Sequence, residues 1–253
     1  MTDPLAPPVT GPVLDGRLVT ASNATFVGDL DGIRVVYKPI AGERPLWDFP
    51  DGNLASREVA AYAVSEALGW DVVPRTWLGE GPHGPGMIQE WIEEDPTIGA
   101  VDVVAPRAVP AGFRTVLEAR DGQGRPVLLV HEDSVALRRM AVFDVLINNG
   151  DRKGGHVLAT ADGRRRGVDH GVSFHVENKL RTVLWGWIGE PLTADETAAV
   201  RRVADDAALA DALRGLISSD ELAAFLARAH GLVAAGTLPE PSDEWPAIPW
   251  PAF

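Results

Sequence analysis

The 253 residues of this chain include no cysteine. This absence excludes disulfide bonds, zinc sites built on thiolates and catalysis by a cysteine nucleophile. The sequence also lacks Gly-x-Ser-x-Gly and Gly-x-x-x-x-Gly-Lys motifs, which argues against serine hydrolases and P-loop nucleotide-binding proteins. The histidines do not show the spacing of metalloproteases, and we expect structural roles for His83, His131, His175 and His230.

Long apolar runs and an excess of basic residues are lacking as well. No apolar run is long enough to span a bilayer, and residues 1–12 have none of the regions of a signal peptide. We therefore expect a soluble, cytoplasmic protein with no integral membrane association. Lys and Arg number 23 against 36 Asp and Glu, so the net charge of −13 repels nucleic acid, which we do not expect as a partner. Arg164–Arg166 is the one dense basic run, and it indicates either a solvated hairpin turn or a local basic groove.

The hydrophobic content of 45% is sufficient for a large core, as one bilobal domain or as two small ones. The first 93 residues predict a compact unit of short strands around one helix, Leu54–Leu68, which ends at Gly69. The predicted strands are 14–20, 25–30, 33–39, 72–78 and 86–92, with a breaker-rich loop at 79–85.

The pattern of apolar residues changes further along the chain, from short strands to helices. Residues 95–112 contain three prolines and little periodicity, which predicts an irregular connector. The remaining predictions are a hairpin (113–119 and 126–131), a helix (134–147), two short strands (157–160 and 167–169) and at least two helices (193–202 and 219–235). Capping boxes begin the last two helices.

Two acidic residues follow apolar stretches in short polar breaks, and they suggest phosphoryl transfer. Asp151 lies in Asn-Asn-Gly-Asp-Arg after the helix at 134–147, and Asp169 lies in Gly-Val-Asp-His-Gly. One carboxylate can deprotonate an attacking hydroxyl, and the other can hold a metal ion on nucleotide phosphates. Each could be a plain turn residue alone, but together in this order they favour a site.

A lysine and a glutamate upstream complete the predicted set. Lys38 ends the third strand, where its ammonium could reach the α and β phosphates of a nucleotide. Glu58 shares a helical stripe with Leu54 and Leu68, so its carboxylate needs a partner, and Lys38 is the obvious one. The alternatives are a solvated Lys38 and a Glu58 that reaches solvent or pairs near Arg57.

Two further segments are candidates for nucleotide contacts. Ser22, Asn23 and Thr25 could offer backbone N–H groups and hydroxyls to phosphates, as a glycine-rich loop does. Gln89, Glu90 and Trp91 lie where the two halves of the chain should join, and their backbone could bind an adenine edge.

The motif Gly150–His156 resembles the catalytic loop of the phosphatidylinositol 3-/4-kinase superfamily, and Val168–Gly171 resembles its metal-binding Asp-Phe-Gly. The chain as a whole is similar to a family of actinobacterial proteins described as phosphatidylinositol kinase-like. This likeness includes Val36–Pro39, Glu43–Pro50 and Arg57–Ala60, and it covers roughly residues 14 to 235. HipA-type toxin kinases share a similar Asp-Arg loop.

The resemblance implies an α+β, two-lobed protein-kinase-like fold with ATP in the cleft. A small β-rich N-lobe would span 13–93 and a larger, mostly helical C-lobe 94–238, flanked by an extended or disordered 1–12 and a Pro/Trp-rich tail at 239–253. Lys38 would contact phosphates, Glu58 would orient Lys38, Asp151 would be the base and Asp169 a metal ligand.

One position departs from the family pattern. His156 stands where the family has Asn, and because magnesium prefers oxygen ligands, manganese or a single metal ion becomes an alternative to Mg²⁺. His170 replaces the Phe of Asp-Phe-Gly, which calls its hydrophobic contact into question. Lys153 can still neutralise charge on the transferring phosphoryl group.

The predicted function is therefore an ATP-dependent phosphotransferase that acts on a hydroxyl of a soluble small molecule or protein. Lys179, Arg181, Trp185 and Trp187 would shape the acceptor pocket, although the tryptophans could be core residues, and 41–53 is a second candidate wall. The alternatives are a nucleotide-binding pseudokinase, which His156 favours, and an interaction module with an empty cleft.

Overall fold

The computed structural model describes residues 11–18, 23–49 and 52–253. Its N-terminal part is a five-stranded antiparallel sheet in the order β1-β2-β3-β5-β4, with helix α1 between β3 and β4 in the chain. The elements are β1 (Val13–Arg17), β2 (Phe26–Leu30), β3 (Ile33–Pro39), α1 (Leu54–Leu68), β4 (Thr76–Gly81) and β5 (Gly84–Glu90).

The second part of the chain begins with a three-stranded antiparallel sheet in the order β6-β8-β7 and continues with helices. A two-stranded ribbon, β9 with β10, follows the first of these helices. The elements are β6 (Val101–Val104), β7 (Phe113–Arg120), β8 (Pro126–Glu132), α2 (Val135–Ile147), β9 (Val157–Ala159), β10 (Arg165–Gly167), α3 (Ala194–Ala204), α4 (Ala207–Leu213) and α5 (Ser219–Ala235).

Two hydrophobic cores differ greatly in size. The five-stranded sheet has a small core of Leu30, Val35, Tyr37, Trp77 and Ile88. The large core is formed by the helices, and the apolar face of α1 contributes to it rather than to the sheet core. Because α1 follows β3 in the chain but packs on the helices, it connects the sheet to the rest of the molecule.

The helix ends follow the predicted signals. Asn53 caps the N-terminus of α1 by accepting a hydrogen bond from the Ser56 N–H, and Gly69 ends the helix in the left-handed conformation. Capping boxes begin α3 and α5, and Asn148 ends α2 with a φ of 53°. The predicted bounds of α1, 54–68, are therefore confirmed.

The structure corrects the prediction for β4 and β5. The breaker-rich residues 79–85 lie mostly within the strands, and the turn itself is short. Glycine is suited to positions 81 and 86 of these strands because the Tyr37 ring packs against the backbone there and leaves no room for a side chain. A Cβ atom at Gly81 would lie 2.5 Å from that ring, so these glycines allow the close approach.

The predicted connector at 95–112 is also wrong in part, because it contains β6. This strand pairs with β8 from Val101 opposite His131 to Val104 opposite Leu128. β6 has four residues and lies at the edge of its sheet, so its period-2 pattern is too short to stand out beside the prolines that follow.

The predicted α+β class is confirmed, with a β-rich N-terminal part and a helical C-terminal part. Among the residues that the structure describes, no helix combines the length and the apolarity needed to cross a membrane.

Candidate functional site

The site centres on Lys38, which contacts two carboxylates from distant parts of the chain. Its Nζ atom donates hydrogen bonds to Glu58 Oε1 and to Asp169 Oδ1, both at 2.8 Å. The Glu58 side chain is 2% exposed, whereas that of Asp169 is 50% exposed. The structure thus brings together the end of β3, helix α1 and the loop after β10.

Glu58 holds two elements at once. While Oε1 accepts from Lys38, Oε2 accepts a hydrogen bond from the backbone N–H of His170 at 2.8 Å. A buried carboxylate requires such partners, since an unpaired charge in this position would be strongly destabilising. Glu58 therefore fixes both the lysine and the loop that carries Asp169.

The beginning of α1 is fixed by the loop before it. Both carboxylate oxygens of Glu43 accept hydrogen bonds from the N–H groups of Leu54 and Ala55, at 2.9 and 2.8 Å. These are orphan donors of the first helical turn, and a carboxylate here also interacts favourably with the helix dipole. A Cβ atom at Gly171 would lie 3.0 Å from that of Leu54, so the loop after Asp169 lies directly against this helix end.

The charges of the site change the pKa values of its groups. Burial would lower the pKa of Lys38, but the carboxylates of Asp169 and Glu58 outweigh it and raise this pKa. The adjacent Lys38 ammonium is the main reason why the pKa of Asp169 lies well below its usual range. Both groups are therefore charged across the physiological pH range.

Asp169 has an unusual backbone, with a φ of 61°. Residues other than glycine rarely adopt this left-handed conformation, although Asp tolerates it better than most. The conformation persists because the neighbouring His170 N–H is bound to Glu58 and the Asp169 carboxylate is bound to Lys38.

Asp151, Lys153 and His156 form the second half of the site. Lys153 Nζ lies 3.0 Å from Asp151 Oδ2, and the Asp151 backbone N–H donates to the side chain of Asn149 at 3.0 Å. His156 connects the two acids, because its Nδ1 lies 2.9 Å from the Asp151 carbonyl oxygen and its Nε2 lies 3.4 Å from Asp169 Oδ2. We refer to Lys38, Glu58, Asp151, Lys153, His156 and Asp169 as the open cluster.

These contacts determine the tautomer of His156. A carbonyl oxygen only accepts hydrogen bonds, so Nδ1 must carry the proton in its contact with Asp151. Burial lowers the pKa of His156, although Asp169 opposes the shift, and the ring is neutral at pH 7. Its Nε2 lone pair therefore faces the Asp169 carboxylate, and a cation between the two acceptors would relieve their repulsion.

A second polar group, entirely buried, lies behind the open cluster. Arg152 and Asp144 form an ion pair with an Nη2–Oδ1 distance of 2.8 Å, and neither side chain is exposed. Asn149 donates to Asp144 at 2.9 Å, and Arg152 Nη2 lies 2.7 Å from His170 Nε2. We refer to Asp144, Asn149, Arg152, His170 and Thr182 as the buried cluster.

The buried cluster shows what replaces the hydrophobic contact of an Asp-Phe-Gly motif. His170 is fully buried, and its ring lies edge-on to Phe143 at 5.5 Å. Because an arginine can only donate, His170 Nε2 accepts from Arg152, and burial keeps the pKa of His170 well below its usual value. The loop is therefore held by a polar contact on one side of the ring and an aromatic contact on the other.

The predicted phosphate-binding turn is described only in part, since Ser22 lies outside the described residues. Asn23 Oδ1 accepts a hydrogen bond from the Arg44 N–H at 3.0 Å, and the hydroxyl of the buried Thr25 donates to the Asn23 carbonyl at 3.3 Å. To donate to a phosphate, the Thr25 hydroxyl would have to give up its bond, whereas the Asn23 bond uses Oδ1, which is an acceptor and does not compete for a phosphate oxygen.

The predicted adenine-binding segment also has partners. Gln89 is buried, and its amide donates to the Thr76 hydroxyl at 2.8 Å. The backbone N–H groups of Glu90 and Trp91 donate to the carbonyls of Arg75 and Arg34, both at 2.9 Å. These N–H groups are not available to an adenine edge as predicted, because the hydrogen-bonding of the sheet continues to Trp91.

The expected acceptor side contains a lysine enclosed by aromatic rings. Lys179 is buried, and its Nζ lies 2.9 Å from Asp48 Oδ2. The same atom lies 5.2 Å from the ring centroid of Trp47, 5.9 Å from that of Phe49 and 4.4 Å from that of Trp245. Lys179 therefore joins three segments by ion-pair and cation–π contacts instead of presenting a free charge to an acceptor.

The two tryptophans of this region are core residues, the alternative that we considered. Trp187 is 1% exposed and donates to Asp133 at 2.9 Å, while Trp185 donates to the carbonyl of Ala247 at 2.8 Å. Arg181 is partly exposed, and its backbone forms hydrogen bonds with those of Arg152 and Asn149, next to Asp151.

Two residues of the site region, Asp144 and Glu43, were not predicted from the sequence. Asp144 lies four residues after Met140 and three before Ile147, on a buried stripe of α2. The reasoning that identified a partner for Glu58 applies equally to this carboxylate, and would have assigned it to Arg152. Glu43 has no comparable signal, because it lies eleven residues before the helix end that it binds.

His156 and Asp169 could hold a metal ion, but not by themselves. Among residues 11–18, 23–49 and 52–253, no group of three or more His, Asp or Glu side chains is arranged to hold one. The chain thus offers two ligands, and a bound nucleotide or water would have to provide the others.

We compared the chain with known proteins. No protein-family model matches it. A solved structure, that of the proinflammatory kinase CtkA of Helicobacter pylori, aligns with 91% of this chain and 93% of that chain, at 11% identity and a TM-score of 0.48. The phosphatidylinositol 3-/4-kinase resemblance therefore remains a prediction. Protein Rv2133c of Mycobacterium tuberculosis is 50% identical, and the alignment covers 94% of this chain and 91% of the mycobacterial protein. Since this identity extends over almost the full length of both, the chain belongs to the same family as Rv2133c.

Proposed function

We propose that this chain is an ATP-dependent phosphotransferase that transfers the γ-phosphoryl group to a hydroxyl of a soluble small molecule or protein. The observation that carries the proposal is the contact of Lys38 with both Glu58 and Asp169 at 2.8 Å. Phosphoryl transfer depends mainly on positioning and charge neutralisation, and it requires a lysine held by an acid beside a metal-binding carboxylate.

The nucleotide phosphates would lie over Lys38. Its ammonium is held from behind by Glu58, which is buried, and from the front by Asp169, which is half exposed. A nucleotide with its metal ion can therefore replace the Asp169 contact without disturbing Glu58. In this arrangement Glu58 is a positioning residue and Lys38 the phosphate-binding one.

Asp151 would be the base. Its carboxylate would accept the proton of the acceptor hydroxyl as the acceptor oxygen bonds to the γ-phosphorus and the bond to the β-phosphate oxygen breaks, which releases ADP. Lys153, 3.0 Å from Asp151, would balance negative charge on the phosphoryl group in transit. The Asn149 side chain fixes the backbone of Asp151 for this role.

His156 and Asp169 would hold the metal ion. His156 Nε2 and Asp169 Oδ2 lie 3.4 Å apart, so both atoms would be within reach of one ion. A divalent ion there would neutralise charge on the phosphates. Mg²⁺ is compatible with Asp169, but the imidazole lone pair favours Mn²⁺.

The relation to phosphatidylinositol 3-/4-kinases is part of the proposal. It is supported by the order of the motifs along the chain and by the contacts among Lys38, Glu58 and Asp169. It implies nothing about a lipid acceptor, because Lys179 in the expected acceptor region is already bound to Asp48.

The test compares Asp151→Asn and Asp169→Asn with the wild-type protein in Mg²⁺- and Mn²⁺-dependent ATP turnover. Loss of the base should reduce turnover by about 10²- to 10⁴-fold and leave stabilisation by ATP against thermal unfolding intact. Asp169→Asn should reduce both turnover and the metal-dependent part of that stabilisation. Turnover that is unchanged in both variants would refute the proposal.

Asp162→Asn is the matched control, since this exposed Asp lies in the turn between β9 and β10. It should change neither readout. Stabilisation by ATP without any turnover would instead favour the pseudokinase, for which His156 is the structural reason. No stabilisation by ATP with either metal would favour an interaction module.

A further inference from the structure

Residues 245–253 lie along the segment that follows Asp169. The carbonyl of Ala247 accepts hydrogen bonds from the Thr182 N–H at 3.0 Å and from Trp185 Nε1 at 2.8 Å. Two residues earlier in the chain, the ring centroid of Trp245 lies 4.4 Å from Lys179 Nζ. These contacts hold residues 245–247 against the segment that follows Asp169.

The same segment then reaches the catalytic motif. The Gly154 N–H donates to the carbonyl of Ala252 at 2.7 Å, and the Phe253 ring lies directly on Gly154. A Cβ atom at position 154 would come within 2.3 to 2.7 Å of three ring atoms. Gly154 has no left-handed φ, so what requires glycine here is the ring and not the backbone conformation.

This contact lies close to the proposed base. Gly154 is three residues after Asp151, so their Cα atoms are at most about 11 Å apart. The Phe253 side chain is about half exposed, which means that one part covers Gly154 while another faces outward. Phe253 therefore lies beside the motif Gly150–His156 and does not close off access to it.

We propose that residues 245–253 form a wall on the acceptor side of the site, and that Phe253 limits the acceptor to a small molecule. The inference rests on the proposed phosphotransferase function and narrows its acceptor class. A polypeptide acceptor would need the space over Gly154, which the Phe253 ring occupies, and the backbone contacts of Ala247 and Ala252 hold the segment that carries this ring. A small hydroxylated molecule can pass beside the ring.

A double-mutant cycle tests the contact without any acceptor. Gly154→Ala should lower the midpoint of thermal unfolding in the wild-type background, because the new methyl group collides with the ring. In the Phe253→Ala background the same substitution should lower it much less. Trp250→Ala is the matched control, since this aromatic side chain is 91% exposed and should not couple to Gly154.

The acceptor limit is tested with dephosphorylated casein as a polypeptide probe and water as the smallest acceptor. For each variant, the rate of phosphate transfer to casein is divided by the rate of ATP hydrolysis in the same reaction. The Asp151→Asn variant gives the background rate of transfer. Wild type and Trp250→Ala should show no transfer to casein above this background, and Phe253→Ala should show it, so that the ratio rises from zero.

The outcomes separate the two proposals. Two results would refute the proposed wall without refuting the phosphotransferase function. They are efficient transfer to casein by the wild type, and an unchanged ratio in Phe253→Ala while ATP is still hydrolysed. If no protein of the series hydrolyses ATP, the proposed function fails. In that case the absence of coupling in the double-mutant cycle would separately overturn the packing of Phe253 on Gly154.

Discussion

The buried cluster and the open cluster contain similar groups, yet they differ in their exposure to water. Asp144 and Arg152 are fully buried, whereas the side chains of Asp151 and Asp169 are 28% and 50% exposed. The buried cluster connects α2, the motif Gly150–His156 and the loop after β10 through contacts among its own members. The open cluster uses equally short contacts, but on a surface that a ligand can reach.

This difference indicates that the buried cluster serves mainly stability and the open cluster mainly activity. A buried ion pair is hard to exchange, because removing one partner leaves an uncompensated charge in a medium of low dielectric constant. The Asp169 carboxylate is half exposed, so the phosphates of a nucleotide can take its place beside Lys38 while a metal ion compensates the charge of Asp169. We expect substitutions in the buried cluster to change stability first and those in the open cluster to change activity first.

The largest effect should follow Asp144→Ala. It leaves the Arg152 guanidinium buried without its carboxylate partner, which costs about 3–5 kcal/mol for comparable pairs. In a domain of this size the unfolding midpoint should fall by roughly 6–20 °C, measured by circular dichroism. The control is Asp211→Ala, which removes an exposed ion pair with Arg214 on α4 and should have little effect. Equal shifts in the two variants would contradict this difference between the clusters.

Glu58→Gln should affect activity more than stability. Glu58 accepts from Lys38 with Oε1 and from the His170 N–H with Oε2, so the NH₂ group of a glutamine would face one of these donors and displace it. Misplacement on this scale can cost on the order of 10²-fold, and we expect a loss of that size in kcat/KM for ATP turnover. Glu66→Gln, an exposed carboxylate on the same helix, is the control. A loss confined to stability, with normal turnover, would place Glu58 with the buried cluster.

His156→Asn should have the smallest effect, a change in metal preference. Replacing the Nε2 lone pair with an amide oxygen should lower the ratio of Mn²⁺ to Mg²⁺ affinity by roughly tenfold. The measurement is the metal concentration needed for ATP to stabilise the protein against thermal unfolding, which does not depend on turnover. His230→Asn, exposed on α5, should leave the ratio unchanged. An unchanged ratio in His156→Asn as well would exclude imidazole as a ligand.

Local signals explain what could be predicted from the sequence. Helix α1 has its predicted bounds because it begins at an N-cap, Asn53, and ends at Gly69, and Glu58 was paired with Lys38 because an apolar stripe leaves a carboxylate in need of a partner. The contact of Phe253 with Gly154 leaves no such trace, since the two residues lie almost a hundred positions apart. The pairing of the Trp91 and Glu90 N–H groups with the carbonyls of Arg34 and Arg75 could not be predicted either, because strand pairing is a tertiary property.

Helix α1 has a further consequence for how the site could be controlled. Its first turn is bound by Glu43 and touches Gly171, and Glu58 lies one turn beyond. The position of Glu58, and through it that of Lys38, therefore depends on a residue of the preceding loop. We expect a change at Glu43 to alter the geometry around Lys38 through the start of this helix.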